Sequence, residues 1–313
     1  MRCCGIHYVH LLKLRFLKFI RYFKHNPLST IHGTLFRNLG VPLVIRLREQ
    51  GPFFEQFELV KSLITQKRFI IIILDACRYD IFRAIYHRYL HGTLYKVRSP
   101  GSDTVEWLMK VFPYMRHIKD VYIFSANPII NSQGIKYRGF RALDYVPKNR
   151  IIDVWDVAWD DEFCTVPPWR VNEVVMKYGI RDKMIIWYLQ PHFPWLNFRD
   201  LFKSLIKEST KMHRKLGNLL IECIKKGTLS KLDVWKGYLF NTVLVLREVC
   251  NLIECIRKQS FNGPIVITSD HGELLGEYGC YWHVPGERFP ELIYVPWLEV
   301  SSSSSVLCNK FII

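Results

Sequence analysis

No uncharged apolar run of about 18 residues occurs, so no conventional membrane-spanning helix is predicted. There is no Cys-x-x-Cys pair. The nine cysteines are scattered and odd in number, which argues against a zinc ribbon and against a fully paired disulfide framework. Reduced, mostly buried thiols in a cytoplasmic protein are the simplest expectation. Acid is scarce: 28 Asp and Glu stand against 44 Lys and Arg, a net charge of +16. That surplus favours anionic partners such as phosphorylated or sulfated substrates, or an acidic membrane surface. Helix-turn-helix, zinc-finger and RRM patterns are all missing, so nucleic acid is not an expected partner. The Gly-x-Ser-x-Gly elbow of an ordinary α/β hydrolase is missing too. A secretory signal is not expected, because Lys13, Arg15, Lys18, Arg21 and Lys24 interrupt the first apolar stretch and no small-residue cleavage site follows.

What is present reads as a globular chain, 49% apolar and 23% charged. Residues 6–24 have the period of an amphipathic helix, with Val9, Leu12, Phe16, Phe19, Ile20 and Phe23 on one face. Such a helix either lies in an anionic membrane interface, giving peripheral membrane contact, or packs on its own domain with a solvated basic face. Three regions are expected: a basic helical region over 1–67, a large folded domain over 68–300 and a tail over 301–313. Arg68–Asp75 reads as a strand buried on both faces, and Val121–Phe124, Met184–Leu189 and Pro264–Ser269 resemble it. Helical patterns lie between them, from Pro167 to about Lys177 and over about 201–226 and 234–258. The fold class is therefore α/β, a mostly parallel sheet with helices on both faces.

In such sheets ligands bind beyond the carboxyl ends of the strands. Asp75 closes the first strand, Asp270 and His271 close the last, and Gln190-Pro-His-Phe-Pro-Trp195 follows the Met184–Leu189 strand. Two carboxylates and an imidazole converging there suit a divalent cation. That cation would neutralise charge on a phosphoryl or sulfuryl oxygen. The Ser99-Pro-Gly-Ser-Asp-Thr104 loop offers a hydroxyl. Asp156, Asp160 and Asp161 form an acidic, Trp-containing segment, read either as a solvated loop or as a source of further ligands.

These segments resemble the alkaline phosphatase and sulfatase superfamily over about residues 69–298. Ile-Leu-Asp75-Ala-Cys-Arg78-Tyr-Asp80 is similar to its first metal-binding strand. Ser99 to Trp107 resembles the nucleophile loop, in which a Thr, Ser or modified Cys opens a helix. Gln190-Pro-His192-Phe-Pro-Trp resembles the His-x-Pro-aromatic segment, and Tyr238-x-x-Asn241 a helical pattern before the last metal strand. Thr268-Ser-Asp270-His271-Gly-Glu273-Leu-Leu-Gly-Glu277, followed by His283, is the most specific match. The likeness is nearest to archaeal sulfatase-like proteins of unassigned substrate.

The resemblance implies an alkaline-phosphatase-like fold and these roles. Asp75, Asp270 and His271 bind a metal, with Thr104 as fourth ligand and nucleophile. His192 and His283 contact the ester oxyanion or protonate the leaving group. Arg78 binds the anion or supports its loop. The cofactor is one divalent cation, Mn, Zn or Mg rather than Ca. Gln190 stands at an Asp position of two-metal members, which favours a single site. Thr104 and the following Glu106-Trp107 do not fit a formylglycine maturation motif, so a phosphate ester is favoured over a sulfate ester. The partner is an anionic ester, glycan- or lipid-linked. A second expectation is a catalytically inactive relative that binds an anionic glycan or lipid.

Overall fold

A computed structural model describes residues 54–118, 120–201 and 216–301. The predicted helix over 6–24 and residues 302–313 of the predicted tail lie outside them. Two compact units are distinguished, and Phe54–Leu275 and Trp282–Ile313 belong to the larger one, which contains every candidate site residue.

Its centre is an eight-stranded sheet. The strands are β1 (Phe54–Glu55), β2 (Phe69–Leu74), β3 (Gly92–Arg98), β4 (Val121–Ser125), β5 (Ile151–Asp153), β6 (Lys183–Tyr188), β7 (Ile265–Thr268) and β8 (Tyr294–Val300). Their spatial order is β1-β3-β8-β7-β2-β6-β4-β5. The run β7-β2-β6-β4-β5 is parallel throughout, and β8 runs antiparallel to both of its neighbours. All six residues of β2 are buried. Alternate side chains of a strand point to opposite faces, so both faces of the sheet are covered. The architecture is the expected α/β fold, with a mostly parallel sheet.

Helices α1 (Gln56–Ile64), α2 (Tyr79–Ile85), α3 (Thr104–Met115), α4 (Pro168–Tyr178) and α5 (Lys231–Lys258) include those that position the site. On one face, Phe69, Ile71 and Ile73 of β2 pack with Val60 of α1 and Trp107, Leu108 and Val111 of α3. Each such buried aliphatic side chain contributes roughly 1.5–3 kcal/mol. α5 begins with a capping box, in which the Ser230 hydroxyl accepts from Asp233 N and the Asp233 carboxylate accepts from Ser230 N. Its buried residues, among them Val234, Tyr238, Asn241, Val245, Val249 and Leu252, recur every three or four positions.

The four strands expected from sequence all form, each to within a residue or two. β3 and β8 escaped that reading. β3 is Gly-Thr-Leu-Tyr-Lys-Val-Arg, with mixed polarity and only Val97 buried. β8 carries Pro296, which reads as a strand breaker. Pro296 lies one residue beyond the last residue paired with β7, so that ladder does not need its missing N–H.

A buried amide ties three elements together. Gln56, fully buried at the start of α1, accepts a hydrogen bond from Trp107 Nε1 of α3 (2.8 Å). Its Nε2 donates to Thr268 Oγ1 (2.7 Å) and to the Ser269 carbonyl (2.6 Å) at the end of β7.

α5 also packs without clearance. A Cβ at Gly237 would lie 2.4 Å from the Trp195 ring. Gly237→Ala therefore overpacks this contact, despite the better helix propensity of alanine. A loss of about 1–3 kcal/mol is expected in the urea unfolding free energy.

Candidate active site and metal centre

Four side chains distant in sequence meet above the carboxyl ends of β2 and β7. Asp75 directly follows β2, and Asp270 and His271 are the second and third residues after β7. Thr104 is the first residue of α3, a twelve-residue helix. Its position is fixed locally: Asp103 caps the helix by accepting from Glu106 N (2.8 Å), while Glu106 accepts from Ser102 N (2.9 Å). The Ser99 hydroxyl donates to the Asp270 carbonyl and joins this loop to the β7 end.

The Thr104 hydroxyl donates to Asp270 Oδ2 (2.8 Å), and its oxygen lies 3.2 Å from His271 Nε2. His271 Nε2 is 3.2 Å from Asp270 Oδ2 and 3.8 Å from Asp75 Oδ1. One ligand atom from each of Asp75, Asp270 and His271 falls within 4.8 Å of the other two. The orientation of each group has a cause. His271 Nδ1 donates to the Gly272 carbonyl (2.8 Å), which turns the Nε2 lone pair inward. Asn127 Nδ2 (2.7 Å) and Trp187 Nε1 (3.2 Å) both donate to Asp75 Oδ2, leaving Oδ1 for the centre. The donor set is oxygen and imidazole nitrogen, buried and convergent, and it fits a divalent cation.

The electrostatics agree with that fit. Burial pushes the Asp270 carboxyl up to about 6, and the neighbouring Asp75 adds to the rise. Burial also raises Asp75, against the pull of His271. For His271, burial works downward, but Asp270 and Asp75 together outweigh it and the net shift is upward. Both carboxylates resist ionisation and the imidazole gains proton affinity, so the centre favours positive charge.

Two loops are braced from one side of α5. Tyr238 Oη donates to the Ala76 carbonyl (2.7 Å) and accepts from Arg78 N (2.9 Å), holding the turn after Asp75. One helical turn on, Asn241 Nδ2 donates to the carbonyls of His192 and Pro194 (both 3.1 Å), and its Oδ1 accepts from Leu196 N (3.0 Å). The peptide bonds before Pro191 and Pro194 are cis. The Tyr238-x-x-Asn241 spacing thus has a structural meaning: positions three apart share a helix face, and each holds one loop of the site.

His192, Glu273 and His283 form a second group whose ligand atoms lie within 4.8 Å of one another. His283 Nδ1 is 3.2 Å from Glu273 Oε1, and the rings of His271 and His283 are 4.3 Å apart. Burial pushes Glu273 up to about 7, although His192, His271 and Arg78 oppose the rise. Burial lowers His192, and lowers His283 well below its ordinary value.

A cavity of about 670 Å³ opens over the centre. Asp75, Thr104, His192 and His283 lie in its lining, and Arg138, Trp155, Trp159 and Trp282 contribute walls. Arg78 does not line it. Its guanidinium pairs with Asp80 through Nε (3.0 Å) and Nη2 (2.7 Å) and donates to the Glu273 carbonyl (3.2 Å). The acidic segment supplies no ligand to either group. Asp160 instead pairs with Arg170 (2.8 Å) and accepts from Glu162 N (2.9 Å). Gln190 is fully buried and donates to the Val166 carbonyl (3.1 Å). Sequence reasoning missed Asn127 and Arg138. Asn127 had a signal, a polar residue two past the end of β4 and before a proline. Arg138, in a short hairpin far from any strand end, had none.

No protein-family model and no curated protein matches the chain. Among solved structures it is similar to the soluble domain of lipooligosaccharide phosphoethanolamine transferase A from Neisseria meningitidis (17% identity, 74% of this chain and 75% of that one, TM-score 0.44). It is also similar to the C-terminal periplasmic domain of EptC from Escherichia coli in complex with Zn (14%, 76% and 74%, 0.43). A third is the phosphonate monoester hydrolase of Agrobacterium radiobacter (13%, 75% and 68%, 0.46). The cytoplasmic expectation is corrected here. It rested on reduced thiols, but Cys250 is disulfide-bonded, and such bonds persist in oxidising compartments. Among the described residues no helix is long and apolar enough to cross a membrane.

The raised values of Asp270 and His271 set the pH response of the metal-free protein. Both groups bind protons more tightly folded than unfolded, so the stability they confer is present at low pH and is lost as pH rises through about 6 and above. Glu273 adds to this fall, whereas His192 and His283, shifted down, oppose it until both states have lost their protons, so the thermal midpoint without metal should fall as pH rises from about 7 to about 8. A divalent ion at a hundredfold excess over its Kd should add ~2.7 kcal/mol. Its effect should be larger at pH 8 than at pH 5, where protons compete for the same ligands. Differential scanning fluorimetry with and without Zn, Mn or Mg measures both.

Proposed function

We propose that this chain is a member of the alkaline phosphatase and sulfatase superfamily that hydrolyses or transfers a phosphate ester through Thr104. The observation that carries the proposal is the Thr104 hydroxyl, fixed at a helix N-terminus within 2.8 Å of Asp270 Oδ2 and 3.2 Å of His271 Nε2, on the floor of a cavity. Asp75, Asp270, His271 and Thr104 would hold a divalent cation, which when bound lowers the charge on the Thr104 oxygen and on the ester oxygens.

The chain's own groups account for the remaining steps. Thr104 Oγ1 hands its proton toward Asp270 Oδ2 and attacks phosphorus, forming a P–Oγ1 bond as the P–O bond to the alcohol breaks. The helix N-terminus beneath directs positive backbone dipoles toward the anion. Arg138 contributes a cation to the cavity wall, and its guanidinium pairs with Asp103, the residue before Thr104. It meets the non-bridging oxygens by charge-assisted hydrogen bonds. His192 and His283 are held neutral by burial. An anionic ester beside them favours their protonated forms, so substrate binding itself prepares a proton for the leaving alcohol. Water or a second alcohol then takes the phosphoryl group from Thr104.

The second reading, an inactive relative that binds an anionic glycan or lipid, predicts ligand binding without turnover. A screen of phosphate monoesters, diesters and sulfate esters with Mn, Zn and Mg decides between the two. Thr104→Ala should lower turnover by about a thousandfold or more while leaving the thermal midpoint nearly unchanged. Full activity in that variant would remove Thr104 as nucleophile. Arg138→Ala should raise KM by about tenfold for a dianionic monoester and by less for a diester.

A further inference from the structure

Trp282 has a backbone conformation that a bulky residue rarely adopts, with φ at +79°. Such a conformation costs free energy, and it persists only where the surrounding contacts fix it. At Trp282 those contacts include both histidines of the cavity. The indole lies nearly parallel to the His283 ring (21° between planes, centroids 5.1 Å apart) and meets the His192 ring edge to face (77°, 4.6 Å). Phe193 packs on the same indole, with centroids 6.2 Å apart. The two imidazoles themselves stand 5.3 Å apart.

The hydrogen bonds of the histidines leave a task for that indole. His192 Nδ1 meets the Phe193 carbonyl, and His283 Nδ1 lies 3.2 Å from Glu273 Oε1. One nitrogen of each ring is thus engaged, which leaves Nε2 for the substrate. A bond at Nδ1 alone lets the ring plane rock about it. An aromatic surface packed against both rings removes that freedom. Resting on the phosphoester reading, we propose that Trp282 is a positioning residue for departure of the alcohol: it holds the His192 and His283 rings so that Nε2 of one of them meets the leaving oxygen. The left-handed backbone aims the indole at both rings at once, which a mere filler of the cavity wall would not need. Without the indole the rings swing, and a proton reaches the departing alkoxide less often. A stable phenolate leaves without that proton.

The test measures kcat/KM for butyl phosphate and for 4-nitrophenyl phosphate on the full chain and on Trp282→Gly, Trp282→Ala and Trp282→Phe. The ratio of butyl to nitrophenyl should fall about tenfold or more in Trp282→Gly and Trp282→Ala, and stay within about threefold in Trp282→Phe. Stability should rank differently. Glycine accepts the left-handed backbone and alanine does not, so the thermal midpoint of Trp282→Gly should exceed that of Trp282→Ala although both lose the ratio alike. Ring-carbon NMR relaxation of His192 and His283, assigned with His192→Gln and His283→Gln, gives a readout free of turnover. It should show added picosecond-to-nanosecond ring motion in Trp282→Gly and none in Trp282→Phe. If no ester turns over but the ring motion changes in this way, the reaction falls and the positioning role stands. A ratio unchanged in Trp282→Gly, a ratio that follows the thermal midpoint instead of the aromatic ring, or ring motion unchanged in Trp282→Gly overturns it.

Discussion

Two carboxylates and an imidazole lone pair are pressed together out of water at the ends of β2 and β7, and the surrounding structure exists to keep them there. Left to themselves these groups would separate or take up protons, as the upward shifts of Asp75, Asp270 and His271 record. They stay because hydrogen bonds from neighbouring groups hold the strand ends that carry them. Ser269 is the clearest case: its hydroxyl accepts from Cys77 N (2.7 Å) and lies 2.6 Å from both the Leu74 and His271 carbonyls. One small side chain thus fixes the exits of two neighbouring strands.

The same constraint explains why the long helix carries polar residues on a buried face. Tyr238 and Asn241 spend their hydrogen bonds on backbone groups of the two loops that bear Asp75 and His192. A buried carbonyl without a donor is costly, and these bonds supply one to each loop. Gly237, beside Tyr238, lets the helix approach Trp195 closely enough for Asn241 to reach. Packing and site geometry are therefore linked through three positions within about one turn of α5.

Much of this was legible in the sequence, because parallel strands buried on both faces announce themselves as unbroken apolar runs. Arg68–Asp75 and Pro264–Ser269 could be read directly, and the polar residues at their ends followed from the geometry of such sheets. Asp75, Thr104, Asp270 and His271 do come together, while Arg78 turns aside to Asp80 and lies outside the cavity lining. The strands that were not legible are those whose partners supply their stability. β3 has a mixed composition, and β8 contains a proline that only the local register makes harmless. Glu273 was visible as part of a motif, but its pairing with His283 depends on a fold-back that no periodicity encodes.

Gln56 gives these observations a wider reach. It precedes the first recognisable strand by 13 positions and belongs to none of the motifs. A fragment cut to begin at Phe69 would keep Asp75, Thr104, Asp270 and His271. It would nevertheless strip the Trp107 indole and the Ser269 carbonyl of their partner, at about 1–3 kcal/mol for each stranded group. A single buried amide upstream of every motif therefore belongs to the structure that holds the site.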